Sequence, residues 1–260
     1  MFPTLSWKLR EHSDLIKYGY KHNLIYDAFS KKYRKLAYKN WQEFPLKQAL
    51  SQGFKFSSNT PAGALIEVYL DGIYNIGGFI PERNQLVVDV GANFGDTAIW
   101  WAKTFGSKVI AFEPLIDVYK ELLENIKLND AEVVAYNVAV GNGEEINGHT
   151  DRNMFSFGGD TQVKTVRLDD YSFDRVDLLK IDVEGFEFEV LQGAKNMITK
   201  YKPKIIIETH STDLRYVCNE FLSSLGYSLR IEGRTIVSRN LGMNRVTNLF
   251  YTNSNSIDTS

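Results

Sequence analysis

Two acidic side chains in the first half of the sequence lie where a nucleoside could be bound. Asp89 begins the run Asp89-Val-Gly-Ala-Asn-Phe-Gly-Asp-Thr97, two residues before Gly91, and Glu113 follows 22 residues after that glycine. The glycine lets a ligand approach the backbone, and a helix beginning near Gly95 offers free N–H groups. An acid two positions before the glycine can take an ammonium group, and Glu113 can accept both hydroxyls of a ribose.

This turn is not typical of a dinucleotide site. The dinucleotide fingerprint is G-x-G-x-x-G, whereas the turn holds only Gly91 and Gly95, at a spacing of four. The two acids therefore describe a nucleoside that carries an amino acid and has no phosphate to bind. S-adenosyl-L-methionine fits that description, and we expect it as the cofactor.

A second group of polar residues follows two apolar runs in the last third of the sequence. Asp182 and Glu184 come directly after one run, and His210 follows the next. If S-adenosyl-L-methionine is a methyl donor here, the acceptor must be held near the methyl carbon, and an acceptor that loses a proton needs a group to take it. An imidazole pKa near neutrality suits His210 to that role, with Asp182 and Glu184 as further catalytic candidates. The alternative for His210 is a structural histidine whose ring nitrogens are satisfied within the fold.

The same residues raise the question of a metal. Asp182, Glu184, Glu208 and His210 carry oxygen and imidazole ligands for a divalent ion. Strand ends converge in space, so such a site is geometrically permissible. Nothing in the spacing demands it, and the sequence alone assigns no metal.

The elements that would position these residues alternate between strand and helix from residue 86 onward. Strands are predicted over 86–90, 108–112, 132–140, 176–181, 204–208, 227–232 and 248–252, and helices over 115–128, 187–200 and 213–224. Residues 141–168 have the pattern of inserted short antiparallel strands. This alternation predicts an α/β fold with a doubly wound, mostly parallel sheet, whose ligands bind at the carboxyl ends of the strands.

Four ordered motifs resemble those of the FkbM family of S-adenosylmethionine-dependent methyltransferases. They are Asp89-Val-Gly-Ala-Asn-Phe-Gly95, Phe112-Glu-Pro114, Leu179-Lys-Ile-Asp-Val-Glu-Gly185 and Ile206-Ile-Glu-Thr-His210. The resemblance spans about residues 66–252 and implies a seven-stranded, Rossmann-like sheet with an antiparallel last strand. It also implies an enzyme that methylates hydroxyl groups, often on sugars or other small molecules.

The resemblance implies a role for each matching residue. The residues around the methionine moiety would be Asp89, Gly91, Asn93, Gly95 and Thr97. Those around the adenine would be Pro114, Leu115, Val138 and Ala139. Glu113 would hold the ribose, and Asp182 would close the floor beneath the methyl-bearing sulfur. Asn93 stands where broader methyltransferase families often have a second glycine.

Charge is distributed unevenly along the chain. The 260 residues contain 30 Lys+Arg and 32 Asp+Glu, but the first 60 hold 11 basic and 4 acidic residues. Asn59-Thr-Pro-Ala-Gly63 has the composition of a boundary. We therefore predict a basic helical extension over 1–60, the methyltransferase domain over 61–252 and a flexible tail over 253–260.

Two other functions stay open at this point. The basic, aromatic run Lys31–Lys39 could dock RNA, and Leu122–Asn129 resembles a helix of archaeal-type tRNA methyltransferases. Against an RNA substrate, the Asp-Val-Glu-Gly after the fourth strand differs from the Asn/Asp-Pro-Pro-aromatic loop of amine methylases. The near-neutral overall charge also argues against it. We therefore favour a small-molecule acceptor over nucleic acid. A domain that binds the cofactor or a partner without turnover is the second alternative.

Composition also predicts the compartment. One cysteine, Cys218, excludes an internal disulfide. No apolar run approaches the roughly 18–20 residues of a spanning helix, and the start lacks the apolar stretch of a secretory signal. These features predict a cytoplasmic protein.

Overall fold

The structure is a computed structural model that describes residues 46–65, 67–151, 154–157, 161–238 and 244–253. Its strands are β1 (Leu86–Val90), β2 (Lys108–Phe112), β3 (Val133–Tyr136), β4 (Ala139–Val140), β5 (Glu145–Asp151), β6 (Met154–Phe157), β7 (Thr161–Val166), β8 (Leu178–Ile181), β9 (Lys204–Thr209), β10 (Tyr227–Ser238) and β11 (Asn244–Asn253). Its helices are α1 (Asp96–Phe105), α2 (Ile116–Asn129), α3 (Glu187–Gly193), α4 (Lys195–Tyr201) and α5 (Thr212–Ser224). Short helical turns cover Ala62–Leu65, Glu67–Asp71 and Leu168–Asp170.

Seven strands form one sheet in the order β10-β11-β9-β8-β1-β2-β3. The β11 strand is antiparallel to both of its neighbours, and the pairs among β9, β8, β1, β2 and β3 are parallel. The chain order reverses direction at β1, where β8 lies on one side and β2 on the other. This arrangement confirms the predicted doubly wound, mostly parallel sheet with an antiparallel last strand.

Apolar side chains cover both faces of this sheet, as expected for parallel strands. One face packs Val88, Ile181 and Ile207 against α3, α4 and α5. The other packs Val87 and Leu178 against α1 and α2. Both surfaces of the central strands are therefore buried, and polar side chains gather at the strand ends.

The third predicted strand is too long. Over the predicted range 132–140, the seven-stranded sheet keeps only β3, and Ala139–Val140 forms β4 in a separate small sheet of order β4-β7-β5-β6. The reason is Asn137, whose side-chain amide donates to the carbonyls of Glu113 and Pro114, both at 2.9 Å. These bonds hold the chain where it leaves β3, and β4 runs on to line a cleft.

Two other element boundaries also differ from the prediction. The helix predicted over 187–200 is interrupted at Ala194, which separates α3 from α4. Gly193 lies so close to the carbonyl of Gly141 that a Cβ there would stand 1.9 Å from that oxygen. The last two strands, β10 and β11, extend beyond the predicted ranges 227–232 and 248–252. The predicted antiparallel insertion is present as β5, β6 and β7.

The described part of the predicted N-terminal extension is attached to the sheet domain. Residues 46–51 are helical, and residues 1–45 of the predicted helical extension lie outside the described residues. The main-chain N–H of Ser57 donates to Asn125 at 2.8 Å, and that of Lys55 donates to Asn129 at 3.0 Å. The domain division at residue 60 and the flexible tail stay predictions. Within the described ranges, no helix combines the length and apolar character needed to span a membrane.

Candidate active site

A cleft opens at the carboxyl edge of the sheet, beside the ends of β1, β2 and β8. Nine residues that the sequence singled out line it: Gly91, Asn93, Glu113, Pro114, Leu115, Val138, Ala139, Asp182 and Glu184. The cleft lies where the strand order reverses, as expected for a doubly wound sheet. The four sequence motifs are therefore neighbours in space, although 121 residues separate the start of the first from the end of the last.

The turn after β1 is wedged between the ends of β2 and β8. Gly91 has a φ of +79°, and a Cβ there would lie 1.8 Å from the main-chain oxygen of Asp182. The N–H groups of Gly91 and Ala92 both donate to the carbonyl of Phe112 at 3.0 Å. Only glycine satisfies both the backbone angle and the close approach. The turn therefore fixes the relative position of the three strand ends.

Glu113 is the most constrained acid in the cleft wall. One carboxylate oxygen accepts the N–H of Asn93 at 3.0 Å, and the other accepts the N–H of Leu115 at 2.9 Å. Burial raises the pKa of Glu113 to about 7, and these two hydrogen bonds limit the rise. Because a carboxylate has about four acceptor positions, each oxygen can accept one further hydroxyl.

Apolar residues complete the part of the cleft next to Glu113. Four of them were expected, namely Pro114, Leu115, Val138 and Ala139. Sequence reasoning missed six others, namely Val90, Phe112, Val140, Ile146, Val183 and Phe186. Ile146 comes from the inserted strand β5, and no local pattern marks it as a cleft residue. A flat apolar group can be enclosed by these walls.

Three of the expected cofactor residues do not line the cleft. Asp89 is fully buried, and Lys180 donates to one of its oxygens at 3.0 Å. The ammonium group that Asp89 binds is therefore that of a lysine of the same chain, and not that of a ligand as expected. Gly95 is buried against Leu122, whose Cδ1 would lie 2.5 Å from a Cβ at that position. Thr97 is buried at the start of α1. Asp89 and Gly95 are therefore buried packing and charge-pairing residues in this structure.

Lys180 is the charged residue that sequence reasoning missed. Its ammonium group also donates to the carbonyl of Gly91 at 3.3 Å and lies 3.7 Å from Asp182. Burial lowers the pKa of Lys180, but the charges of Asp89 and Asp182 outweigh it and hold the pKa above its usual value. A lysine inside an apolar strand was the available signal, since a buried charge needs a partner.

Four carboxylates surround His210 beside the cleft. Nδ1 lies 2.7 Å from Glu187, and Nε2 lies 3.2 Å from Glu184, 3.8 Å from Glu208 and 3.9 Å from Asp182. Burial alone would lower the pKa of His210, but the hydrogen bond to Glu187 and the surrounding charges raise it to about 10. The imidazole is therefore protonated at neutral pH, which opposes its expected role as the first acceptor of a proton.

Two of these four carboxyl groups, those of Glu187 and Glu208, are buried in different surroundings. Glu187 also accepts the N–H of Gly185 at 2.9 Å, so the carboxylate ties the turn after β8 to His210. From the sequence, Glu187 is explained by its place in the first turn of α3, and its contact with His210 has no local signal. Burial, together with the charge of Asp182, raises the pKa of Glu208 to about 9.

The chain is similar in sequence to known methyltransferases. Residues 89–229 match the family model described as "Methyltransferase FkbM domain". Methyltransferase sdnD of Sordaria araneosa is 27% identical over 189 residues, covering 55% of this chain and 72% of that protein. Hexuronic acid methyltransferase AglP of Haloferax volcanii is 28% identical over 144 residues, covering 50% of this chain and 58% of that protein.

Two solved structures share the fold. Methyltransferase FkbM from Methylobacillus flagellatus superimposes with a TM-score of 0.50 at 19% identity, covering 80% of this chain and 58% of that one. A methyltransferase from Pyrococcus furiosus superimposes with a TM-score of 0.51 at 14% identity, covering 84% of this chain and 98% of that one. At these identities the likeness concerns the fold alone.

Proposed function

The chain belongs to the FkbM methyltransferase family, and from that premise we propose that it transfers a methyl group from S-adenosyl-L-methionine to a hydroxyl of a small or sugar-containing molecule. The observation that carries the proposal is Glu113, whose buried carboxylate faces the cleft beside the glycine turn with acceptor positions free for two hydroxyls. The name of the relative AglP, a hexuronic acid methyltransferase, makes uronic acids the first acceptors to test.

The cleft walls suggest how the cofactor is held. Glu113 would bind the two ribose hydroxyls, and the apolar wall built from Leu115, Val138 and Ala139 would enclose the adenine. Residues from Gly91 to Asn93 would hold the methionine end. The bound cofactor would supply an electrophilic methyl group on a positively charged sulfur. The negative charge of the neighbouring carboxylates favours binding of that positive charge.

A hydroxyl acceptor must lose its proton to a group of the protein. Of the three catalytic candidates, Asp182 and Glu184 line the cleft, whereas His210 does not. Glu184 also contacts Nε2 of His210 at 3.2 Å, so the protonated imidazole holds the Glu184 carboxylate in place to take the acceptor's proton. We assign Glu184 as the first proton acceptor and His210 as the residue that positions it.

Cofactor binding tests the proposal directly. In calorimetric titrations with S-adenosylhomocysteine, Glu113→Ala should weaken binding by an order of magnitude or more, because a lost charged hydrogen bond costs roughly 1.5–3 kcal/mol. The matched control is Glu124→Ala on the exposed side of α2, which should bind as the wild type does. Equal affinity of Glu113→Ala and the wild type would remove the ribose assignment.

Methyl transfer is tested with a radiolabelled donor and a panel of sugars that includes uronic acids. Glu184→Gln should slow the labelling while it leaves the affinity for S-adenosylhomocysteine nearly unchanged. A labelled product stable to base indicates an ether, whereas one released by mild base indicates a methyl ester. The second result would move the acceptor from a hydroxyl to a carboxylate. Cofactor binding with no labelling of any fraction of native extract would contradict an enzymatic function.

A further inference from the structure

Three potential ligand groups converge where β8 and β9 end side by side. Asp182 follows β8, Glu208 lies in β9 and His210 follows it, and one ligand atom from each lies within 4.8 Å of the others. Glu208 and His210 are two positions apart, and side chains at that spacing along a strand point to the same face. The parallel pairing of β8 with β9 therefore brings all three groups to one point.

Two buried oxygens at this point have no hydrogen-bond partner. The Glu208 side chain is 10% exposed, its Oε1 lies 3.8 Å from Nε2 of His210, and its Oε2 accepts no hydrogen bond. Asn248 of β11 lies opposite Glu208 in the antiparallel register, and its Oδ1 is likewise buried and without a partner. A buried acceptor without a donor costs free energy. These oxygens are therefore positioned for a positively charged ligand.

The imidazole is oriented as a metal-binding histidine is oriented. Metal-binding histidines generally use one ring nitrogen for the metal and donate the other N–H to a carboxylate or carbonyl. Here Nδ1 lies 2.7 Å from the fully buried Glu187, and Nε2 therefore faces Glu184, at 3.2 Å, together with Asp182 and Glu208. Glu187 is itself held by the N–H of Gly185. The second ring nitrogen is thus fixed toward the carboxylates before any ligand arrives.

The local charge also favours a cation. Asp182, Glu184, Glu187 and Glu208 all lie within 4 Å of the one imidazole. The nearby ammonium group of Lys180 is closer to Asp89, at 3.0 Å, than to Asp182, at 3.7 Å. The Glu208 carboxyl, with its pKa of about 9, is protonated at neutral pH in the metal-free protein, so three carboxylates share one imidazolium and part of one lysine charge.

We propose that Asp182, Glu208 and His210 bind a divalent cation through one carboxylate oxygen from each acid and Nε2 of the histidine. Binding displaces the protons of Nε2 and of the Glu208 carboxyl to solvent and ends the contact of Nε2 with Glu184. Two hard oxygens and one imidazole suit Mn²⁺, which accepts both ligand types. Ligand atoms bound at about 2.1 Å to one ion lie roughly 3.0–3.5 Å apart. Side-chain adjustments of about 1 Å close the site from its present distances. Asp182 also lines the cleft, so the ion would lie at the cleft's edge.

Metal binding can be measured without methyl transfer. The full-length protein, stripped with a chelator and free of cofactor, is titrated with Mn²⁺ while electron paramagnetic resonance follows the free ion. We expect one Mn²⁺ per chain in the wild type and at least tenfold weaker binding in Glu208→Gln. Glu124→Gln removes an exposed carboxylate of α2 and should bind Mn²⁺ as the wild type does.

Thermal unfolding distinguishes a metal-binding role of Glu208 from a purely structural one. A ligand that binds the folded state raises the melting temperature, so Mn²⁺ should raise it in the wild type and not in Glu208→Gln. Without metal, the variant should melt close to the wild type, because the Glu208 carboxyl, with a pKa of about 9, is neutral at pH 7 and glutamine is a neutral side chain of similar shape. Should Glu208→Gln fail to fold, the half-exposed Asp182→Asn should show the same loss of binding.

Three results would overturn the proposal. They are no Mn²⁺ binding by the wild type at millimolar concentration, equal binding by the wild type and both ligand variants, and an equal loss of binding in Glu124→Gln. None of them bears on the methyltransferase proposal, whose tests are cofactor affinity and labelling.

Discussion

Lys180 lies inside the buried apolar strand β8, where its ammonium group links strand β1 to the turn that follows it. It donates to Asp89 on the neighbouring strand and to the carbonyl of Gly91 in the turn. The ion pair is almost fully excluded from water, with side chains 4% and 0% exposed. Removing one partner of such a pair leaves a buried charge with no compensation.

Replacement of this lysine should therefore destabilise the protein strongly. Lys180→Met leaves the Asp89 carboxylate unpaired, and we expect a loss of about 3–5 kcal/mol in the free energy of unfolding, measured with urea. Lys204→Met, at the exposed start of β9, should change it by less than about 0.5 kcal/mol. Equal effects of the two substitutions would show that the buried pair has no special weight.

Glu113 predicts a pH dependence of cofactor affinity. Its pKa in the folded protein is about 7, so the carboxylate that we propose to accept ribose hydroxyls is ionised above that pH and protonated below it. The affinity for S-adenosylhomocysteine should therefore fall by about tenfold from pH 8 to pH 6, as the competent fraction falls. The charges of Lys180 and Asp89 also act on this group.

The comparison with Glu113→Gln isolates this residue from other titrating groups. The amide does not ionise, so its affinity should be weaker at pH 8 and should change little toward pH 6. Calorimetry at both pH values measures the two dependences. Parallel curves for the variant and the wild type would assign the pH dependence to another group.

At the scale of the elements, the turn after β1 and the turn after β8 occupy adjoining space. Gly91 leaves no room for a Cβ beside the main-chain oxygen of Asp182, and its φ is positive. The position of the cleft floor thus depends on a contact between two loops that are distant in sequence. A side chain at residue 91 would push them apart.

Gly91→Ala should therefore impair both stability and cofactor binding. Strain of this kind costs about 1–3 kcal/mol, and the displaced turn should weaken S-adenosylhomocysteine binding by tenfold or more. Gly77→Ala is the matched control, because a Cβ there meets no atom within 4 Å. Urea unfolding and calorimetry on both variants provide the comparison. Normal cofactor affinity in Gly91→Ala would contradict the assignment of this turn to the methionine end.

The elements that local patterns predicted are those with local causes. Apolar β-branched runs located the strands β1, β2, β8 and β9 to within one or two residues. The prediction missed the early end of β3, because the Asn137 side chain donates to the carbonyls of Glu113 and Pro114 directly after β2. The break at Ala194 was missed because Gly193 contacts Gly141, 52 residues away. Both errors come from contacts between residues far apart in sequence.

The same distinction holds for the candidate site. Glu113 and Asp182 follow strands, so the spacing of the motifs was enough to expect them at the cleft. The partner of Lys180 lies 91 residues away, and no pattern connects Asp89 with it. The contact of Glu187 with His210 spans 23 residues between α3 and the end of β9. Strand ends were predictable from sequence, whereas the pairing of buried charges required the fold.

At the scale of the whole molecule, two buried asparagines of α2 attach the preceding segment to the sheet domain. The Asn125 side chain accepts from the N–H of Ser57 and donates to Thr60 and to the carbonyl of Phe94. Asn129 accepts from and donates to the main chain of Lys55. The chain around residues 55–60 therefore shares its hydrogen bonds with the helix that follows β2.

Asn125→Ala should lower the stability of the whole domain. The substitution leaves buried main-chain groups without partners, at a cost of about 1–3 kcal/mol for each such group. The exposed Lys127→Ala on the same helix should be nearly neutral in urea unfolding. If Asn125→Ala instead produced a separate early transition at unchanged main stability, residues 55–60 would form a unit of their own, as the predicted boundary implies.

Strand β4 is part of both the cleft wall and the small sheet. Ala139 and Val140 form part of the cleft wall, and both also pair with Thr165 and Val166 of the small sheet. Any engineering that lengthens or shortens β7 would reach the cleft wall through this shared edge. Strand β6 pairs with β5 at the opposite border of the small sheet. Changes to the length of β6 would therefore leave the pairing of β4 with β7 in place.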